Sequence, residues 1–109
     1  MKTSYHIVWT ERAEKDLLAI VSYIARDFPS NALNILRKIK KATSRLNHAP
    51  TRGRIIPELR EQGVLQYREI IITPWRIMYR VSGKSVFILS VLDSRQNIED
   101  VLLERFLNS

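Results

Sequence analysis

The spacing of apolar positions near the start of the chain changes from that of a strand to that of a helix. Residues 5–9, YHIVW, are aromatic and β-branched and predict a short strand. Residues 11–28 carry apolar side chains at helical spacing behind Thr10, which is a good N-cap residue. Pro29 ends this helix, and residues 30–47 repeat the helical pattern. The short connection between the two predicts an antiparallel helical hairpin.

The second half of the chain has the pattern of a small sheet followed by a helix. Residues 48–63 contain two prolines and two glycines and predict a surface loop. Strands are expected at 66–73, 76–82 and 85–92, and their tight connections predict an antiparallel meander. Residues 97–107 return to helical spacing. The element order β-α-α-β-β-β-α predicts a single α+β domain over all 109 residues, with the hairpin packed on a small, mainly antiparallel sheet.

Side chains alternate between the two faces of the middle strand of this meander. If the helices cover the face that carries Tyr79, then Arg76 and Arg80 lie on an open face. We expect Arg68 on the neighbouring strand and Arg95 after the last strand to join them. Four guanidinium groups on one shallow surface would suit recognition of phosphate or carboxylate groups, which makes them candidate target-binding residues.

Composition excludes several classes of protein. The chain has no cysteine and two histidines, so it lacks material for disulfides, thiolate metal sites and cysteine nucleophiles. No apolar run approaches the roughly 20 residues that span a bilayer, and the first ten residues lack the apolar segment of a signal peptide. We expect a cytoplasmic protein without metal, cofactor or membrane partner.

The net charge of +7 comes from one quarter of the chain. Residues 30–57 contain seven basic and no acidic side chains, while the flanking segments are neutral. These basic residues are Arg37, Lys38, Lys40, Lys41, Arg45, Arg52 and Arg54. Such a patch attracts nucleic acid or an acidic protein segment, although a solvated helix face is the alternative interpretation. Trp75, in a tight connection between strands, is a candidate exposed anchor for a partner.

Several short motifs, in this order and spacing, resemble the RelE/ParE superfamily of toxins from type II toxin–antitoxin modules. The resemblance covers roughly residues 4 to 97, and the motifs are Trp9-Thr10-x-x-Ala13-Glu14-x-Asp16-Leu17, Tyr23-Ile24-Ala25, Gly53-Arg54-x-x-Pro57-Glu58-Leu59, Tyr67-Arg68, Arg76-Ile77-x-Tyr79-Arg80-Val81 and Asp93-Ser94-Arg95-Gln96. The resemblance implies the fold predicted above and a cognate antitoxin whose acidic or amphipathic tail folds across the toxin. The candidate residues for binding the antitoxin or another polyanion are Arg37, Lys38, Lys41, Arg45, Arg52, Arg54 and Trp75.

The two branches of this superfamily differ in mechanism. RelE-like members, including the YoeB type, cleave mRNA in the ribosome, whereas ParE-like members, which include plasmid stabilisation proteins, inhibit DNA gyrase. By resemblance, Glu58 would be the catalytic carboxylate of the ribonuclease branch and Arg76 its phosphate-stabilising arginine, although Glu58 is also a candidate ion-pair partner of a nearby arginine. That branch also has a histidine or tyrosine at the end of the last strand, and this chain has neither after Tyr79.

The absence of a histidine or tyrosine at the end of the last strand favours the ParE-like branch, with DNA gyrase as the partner. A ribosome-dependent endoribonuclease, with the ribosome and mRNA as partners, is the alternative. A nucleic-acid-binding module without enzymatic activity is a second alternative, although the chain has no helix-turn-helix or RNP-type motif.

Overall fold

The computed structural model describes residues 4–107. The elements are strand β1 (His6–Trp9), helix α1 (Glu11–Ala25), helix α2 (Pro29–Ser44) with a 3₁₀ turn (Arg45–Asn47), strand β2 (Arg54–Ile55), helix α3 (Pro57–Arg60), strands β3 (Tyr67–Ile72), β4 (Trp75–Ser82) and β5 (Ser85–Asp93), and helix α4 (Ile98–Leu102), which continues as a π-helical turn (Leu103–Leu107). The predicted order and the α+β class are confirmed. The predicted loop at 48–63 contains two further elements, β2 and α3.

The strands form one sheet in the order β1-β5-β4-β3-β2. The pairs β2–β3, β3–β4 and β4–β5 are antiparallel, and only β1 runs parallel to its neighbour β5. This arrangement confirms the mainly antiparallel sheet. A register shift between Met78 and Tyr79 interrupts the β4–β5 ladder in the middle of the sheet.

The helical hairpin covers one face of the sheet, as the sequence predicts. Thr10 caps α1 by accepting a hydrogen bond from the Ala13 backbone N–H at 3.3 Å. The main core lies between α1, α2 and the sheet, and it includes Leu17, Ile39, Ile77 and Tyr79. Helix α1 ends at Ala25 rather than at Phe28, and α2 begins at Pro29, where the missing N–H of proline leaves no helical bond unmade.

The opposite face of the sheet is not open, which corrects the prediction. Met78 and Leu92 point away from the hairpin and pack in a second core against α3 and α4. Ile56, Leu59, Ile98 and Leu102 complete this second core. The alternation of side chains along β4 is as predicted, but two short helices cover the face that carries Arg76. None of the helices within residues 4–107 is long and apolar enough to cross a membrane.

Candidate functional site

Arg76 lies at the centre of a buried network of charges rather than on an open surface. Its Nε donates to Glu69 Oε1 at 2.7 Å, and its Nη2 donates to Glu69 Oε2 at 3.0 Å. The same guanidinium donates from Nη1 and Nη2 to the two oxygens of Glu58, at 2.9 and 2.7 Å. Arg54 Nε makes a second contact with Glu69 at 2.7 Å. Strand β4 supplies the arginine, and β3 and α3 supply the two carboxylates.

The network holds these groups in their charged forms. The side chain of Glu69 is 0% exposed, that of Arg76 7% and that of Glu58 25%. Hydrogen bonds from Arg76 lower the pKa of Glu58, and this effect outweighs the burial that raises it. Hydrogen bonds to Glu58 and Glu69 in turn raise the pKa of Arg76. Four of the five N–H donors of the guanidinium are therefore engaged within the protein.

Arg68 lies on the opposite side of the sheet from Arg76. It pairs with Tyr79 across β3 and β4, and its Nη1 donates to the Gly53 carbonyl at 2.9 Å. The Tyr79 hydroxyl donates to the Pro50 carbonyl at 2.8 Å and accepts from the Gly53 N–H at 2.9 Å. Burial raises the pKa of Tyr79. These bonds attach the segment before β2 to the sheet.

Position 53 requires glycine because the backbone of Glu69 and the side chain of Tyr79 lie too close to leave room for a Cβ atom. A Cβ on Gly53 would lie 2.5 Å from the Glu69 carbonyl oxygen and 2.7 Å from the Tyr79 hydroxyl. The Gly53-Arg54 motif identified in the sequence is thus a structural joint between the segment at 48–55 and the sheet.

The predicted convergence of four arginines does not occur. Arg95 is exposed and forms a surface ion pair with Asp93, with 2.6 Å between Nη2 and Oδ2. Its hydrogen bonds lower the pKa of Asp93 to about 2. Arg95 lies beside Tyr23 and Trp75 in a groove of about 470 Å³ between α1 and the sheet.

Arg80 lines a different groove, of about 600 Å³, under the end of α4. Three aromatic side chains share this groove with Arg80, namely Tyr67, Phe87 and Phe106. Arg76 and Arg80 therefore share a face, whereas Arg68 and Arg95 lie elsewhere.

The predicted basic patch is exposed. Arg37, Lys38, Lys41 and Arg45 lie on the solvent side of α2 and the turn that follows it, and Arg52 and Arg54 are exposed in the next segment. Lys40 lies over the Trp9 ring, 4.0 Å from its centroid. Trp75 is half-buried and packs against the main core, so only part of its ring is available to a partner.

A second charge pair, which is partly buried, could not be identified from the sequence. Arg105 Nη1 and Nη2 donate to the two oxygens of Asp16 at 2.6 and 3.1 Å, and Nη1 also donates to Ser90 Oγ at 3.0 Å. Asp16 Oδ2 additionally accepts from the Val91 N–H at 3.0 Å. These bonds join the π-helical turn to α1 and β5. The partners are 89 positions apart, and neither has a local signal that identifies the other. Residues 4–107 contain no group of histidine, aspartate and glutamate side chains that could hold a metal ion.

Comparison with known proteins identifies the family. Residues 7–98 match the model of the ParE toxin of the type II toxin–antitoxin system parDE. This chain belongs to the ParE toxin family. Toxin RelE2 of Caulobacter vibrioides is 34% identical over 86 residues, which are 78% of this chain and 90% of that protein. Toxin ParE3 of the same organism is 35% identical, over 58% of this chain and 59% of its own length.

Solved structures from both branches share the fold of this ParE-family chain. The chromosomal ParDE system of P. aeruginosa matches with a TM-score of 0.67 and 22% identity, over 84% of this chain and 97% of that one. A mutant of E. coli RelE in the free state matches with a TM-score of 0.60 and 20% identity, over 96% and 97%. The fold alone thus does not separate the two branches, so the choice between them depends on individual side chains.

Proposed function

We propose that this toxin arrests bacterial growth by inhibiting DNA gyrase, as in the ParE-like branch, and that a cognate antitoxin neutralises it. The match to the ParE family model supports the branch. The similarity in fold to the chromosomal ParDE system of P. aeruginosa supports a toxin–antitoxin pair. The choice between DNA gyrase and the ribosome as the target depends on the groups that would have to cleave RNA in the alternative mechanism.

The closed network around Arg76 is the observation that favours gyrase over the ribosome. RNA cleavage needs a base for the 2′-hydroxyl proton, a cation for the phosphate and an acid for the leaving group. Glu58 has a lowered pKa and both its oxygens bind Arg76, which makes it a weak base. Arg76 has most of its donors engaged. The end of β5 presents Asp93 and Arg95, where the ribonuclease branch has histidine or tyrosine.

The exposed charges are the proposed contacts with the target. Arg95 is 78% exposed and stands at the mouth of the groove that also contains Tyr23, whose side chain is largely open to solvent. Arg80 and Arg68 remain candidates on two other surfaces. A guanidinium beside an exposed aromatic ring is a common arrangement at the centre of protein interfaces.

Parallel assays of the two targets test the proposal. The purified wild-type toxin is added to a gyrase supercoiling reaction and to ribosomes translating a defined mRNA. We expect loss of supercoiling activity and intact mRNA. Cuts in the mRNA that depend on ribosomes would instead assign the protein to the ribonuclease branch.

Surface variants then locate the contact with gyrase. We expect Arg95→Ala to weaken gyrase inhibition about tenfold, which corresponds to the loss of one charge-assisted contact. The matched control is Lys84→Ala, which removes an exposed positive charge from the turn between β4 and β5. Equal inhibition by both variants would remove Arg95 from the proposed contact.

A further inference from the structure

The exposed side of helix α2 carries positive charges that no neighbouring group compensates. Arg37, Lys38 and Lys41 are exposed on α2, and Arg45 follows at the start of the 3₁₀ turn. None of these four side chains forms an ion pair with an acidic group of residues 4–107. The first three fall within about 100° of the helix circumference, so they share one side of α2. These four residues form the α2 face.

The spacing of these charges weakens the helix that carries them. Arg37 and Lys41 are four residues apart, which places like charges on adjacent turns of one side. Attraction to the negative end of the helix dipole offsets this repulsion only in the last turn, which holds Lys41. Arg37 and Lys38 lie in the middle of α2, where the dipole gives no such compensation. A negatively charged ligand on this side of the helix would relieve the repulsion.

Helix α1 shows how a solvated helix face is composed in the same protein. Its exposed side mixes both signs of charge, and Glu11 and Lys15 form an ion pair at 3.1 Å. Residues 30–57 contain no acidic side chain, so α2 cannot form a pair of this kind. A face that carries one sign of charge alone is suited to a ligand of the opposite sign.

The surroundings of the α2 face select the class of that ligand. Protein interfaces are centred on apolar and aromatic anchors. The large apolar side chains of residues 34–57 are buried or half-buried, so the α2 face has no exposed anchor of this kind. Interfaces with nucleic acid are more polar and much more positively charged. The α2 face therefore fits a nucleic acid better than a protein segment, although its field attracts both from a distance.

The absence of aromatic residues favours a duplex over a single strand. Residues 30–57 contain no phenylalanine, tyrosine or tryptophan, and the Trp9 ring lies beneath Lys40, 4.0 Å from its centroid. Single strands are held by stacking their bases on exposed aromatic rings, whereas a duplex presents its phosphates to the protein. The row from Arg37 to Arg45 is about 12 Å long, and duplex DNA carries about seven phosphates over that length of its axis.

We propose that the α2 face binds the phosphate backbone of duplex DNA without reading its sequence. Arg52 is exposed beside Arg45 around a groove of about 350 Å³ and extends the contact beyond the end of α2. The inference rests on the proposed function for the choice of DNA over RNA. Because gyrase acts on duplex DNA, a toxin that holds DNA is concentrated at its target.

Salt-dependent binding of the wild-type chain tests the proposal directly. The probe is a fluorescent DNA duplex of about 20 base pairs, which is longer than the α2 face. Fluorescence anisotropy measures its association constant at several salt concentrations. We expect a slope of about −4 in a plot of log association constant against log salt, since each neutralised phosphate contributes about −0.9. Absence of binding at low salt, or a slope near zero, would overturn the proposal.

A triple variant locates the contact. Arg37→Gln, Lys41→Gln and Arg45→Gln together remove three of the four charges of the α2 face. We expect the dissociation constant for the duplex to rise at least about tenfold at low salt, and the slope to become shallower by about 2 to 3. Because the substitutions remove like-charge repulsion, the melting temperature should not fall below that of the wild type. Thermal unfolding verifies that the variant is folded.

The matched control removes the same charge from other surfaces. Lys15, Arg26 and Lys84 are exposed outside the α2 face, and all three are replaced by glutamine. We expect the dissociation constant for the duplex to rise less than about threefold. Equal losses of affinity in the two triple variants would mean that net charge alone attracts DNA, and the α2 face would not be a site.

Competing ligands decide the class of the partner. The competitors are a single DNA strand, an RNA duplex of the same sequence and a polyglutamate peptide of similar charge. We expect the DNA duplex to bind the wild-type chain at least as tightly as each competitor. Tighter binding of any one of the three to the α2 face would assign the face to that ligand and overturn the proposal.

The gyrase supercoiling assay keeps the two proposals distinct. A wild-type chain that binds duplex DNA through the α2 face but leaves gyrase active overturns the proposed function. A wild-type chain that inhibits gyrase but does not bind the duplex through this face overturns the present inference alone.

Discussion

A guanidinium that is closed in by two carboxylates stabilises the folded protein instead of offering a free charge to a ligand. Arg76 and Glu58 would form a plausible phosphate-cleaving pair if both were free. In the folded protein Arg76 and Glu58 form an ion pair with each other, and Glu69 forms a second ion pair with Arg76. Removing one member of such a group leaves a buried charge without compensation, which costs far more than the pair itself contributes.

We therefore expect Arg76→Ala to destabilise the protein strongly. The variant leaves the fully buried Glu69 with Arg54 as its one remaining ion-pair partner within the described chain. The expected loss is about 3–5 kcal/mol in the free energy of unfolding. At ~4–8 °C per kcal/mol for a domain of this size, the melting temperature should fall by more than 10 °C. Thermal unfolding followed by circular dichroism measures the change.

Arg95→Ala is the control for Arg76→Ala. It removes an arginine that is also ion-paired but lies in solvent, so its melting temperature should stay close to that of the wild type. If Arg76→Ala melts like the wild type, the network does not stabilise the fold, and the arginine becomes available again as a binding residue.

At the scale of elements, the short helices α3 and α4 decide which surfaces of the sheet are accessible. Helices of four and five residues are not stable by themselves, so their existence depends on tertiary contacts. Leu59 of α3 and Leu102 of α4 supply such contacts by burying apolar surface on Met78. The π-helical turn after α4 is attached at its far end by the pair Asp16–Arg105.

We expect this pair to couple the C-terminal elements to α1. The side chains of Arg105 and Asp16 are 18% and 11% exposed, so Arg105→Ala leaves a poorly solvated carboxylate. The expected cost is about 1.5–3 kcal/mol. A double-mutant cycle with Asp16→Ala, measured by urea unfolding, should give a coupling energy of at least ~0.5 kcal/mol.

The exposed pair Glu11–Lys15 is the comparison for Asp16–Arg105. It links one turn of α1 at 3.1 Å between charged atoms that lie in solvent. Its double-mutant cycle should give no more than about 0.5 kcal/mol. Equal coupling energies in the two cycles would show that the C-terminal elements are not held by Arg105.

At the scale of the whole molecule, charge is divided unevenly over the surface. The basic patch of residues 30–57 lies on α2 and the segment after it, and its basic residues are exposed. A one-sided field of this kind accelerates the approach of an acidic partner and is weakened by salt.

We expect the association rate with the antitoxin to fall as ionic strength rises. Replacing Arg37, Lys38 and Lys41 by glutamine should reduce both the rate at low salt and its salt dependence. Lys15, Arg26 and Lys84, replaced in the same way, change the net charge equally but lie outside the patch. Stopped-flow mixing at several salt concentrations compares the two sets. Identical salt dependence would mean that the net charge, rather than the patch, steers association.

Much of this protein was determined by its sequence alone, because the signals involved are local. Helix α1 follows from apolar spacing and the Thr10 cap, and the meander follows from alternation and tight connections. The charge of residues 30–57 does not depend on the fold at all. The ParE/RelE resemblance was likewise carried by short motifs in a particular order and spacing, and the family match confirms it.

Only the tertiary structure decided what surrounds each charged group. Strand β2 and helix α3 are too short to leave a periodic pattern, so the part of the cover over Arg76 that α3 supplies could not be predicted. Glu58 as an ion-pair partner was one of two possibilities until its distance to Arg76 was known. Asp16 and Arg105 meet across 89 positions of the chain, and such a contact exists only after packing has brought distant segments together.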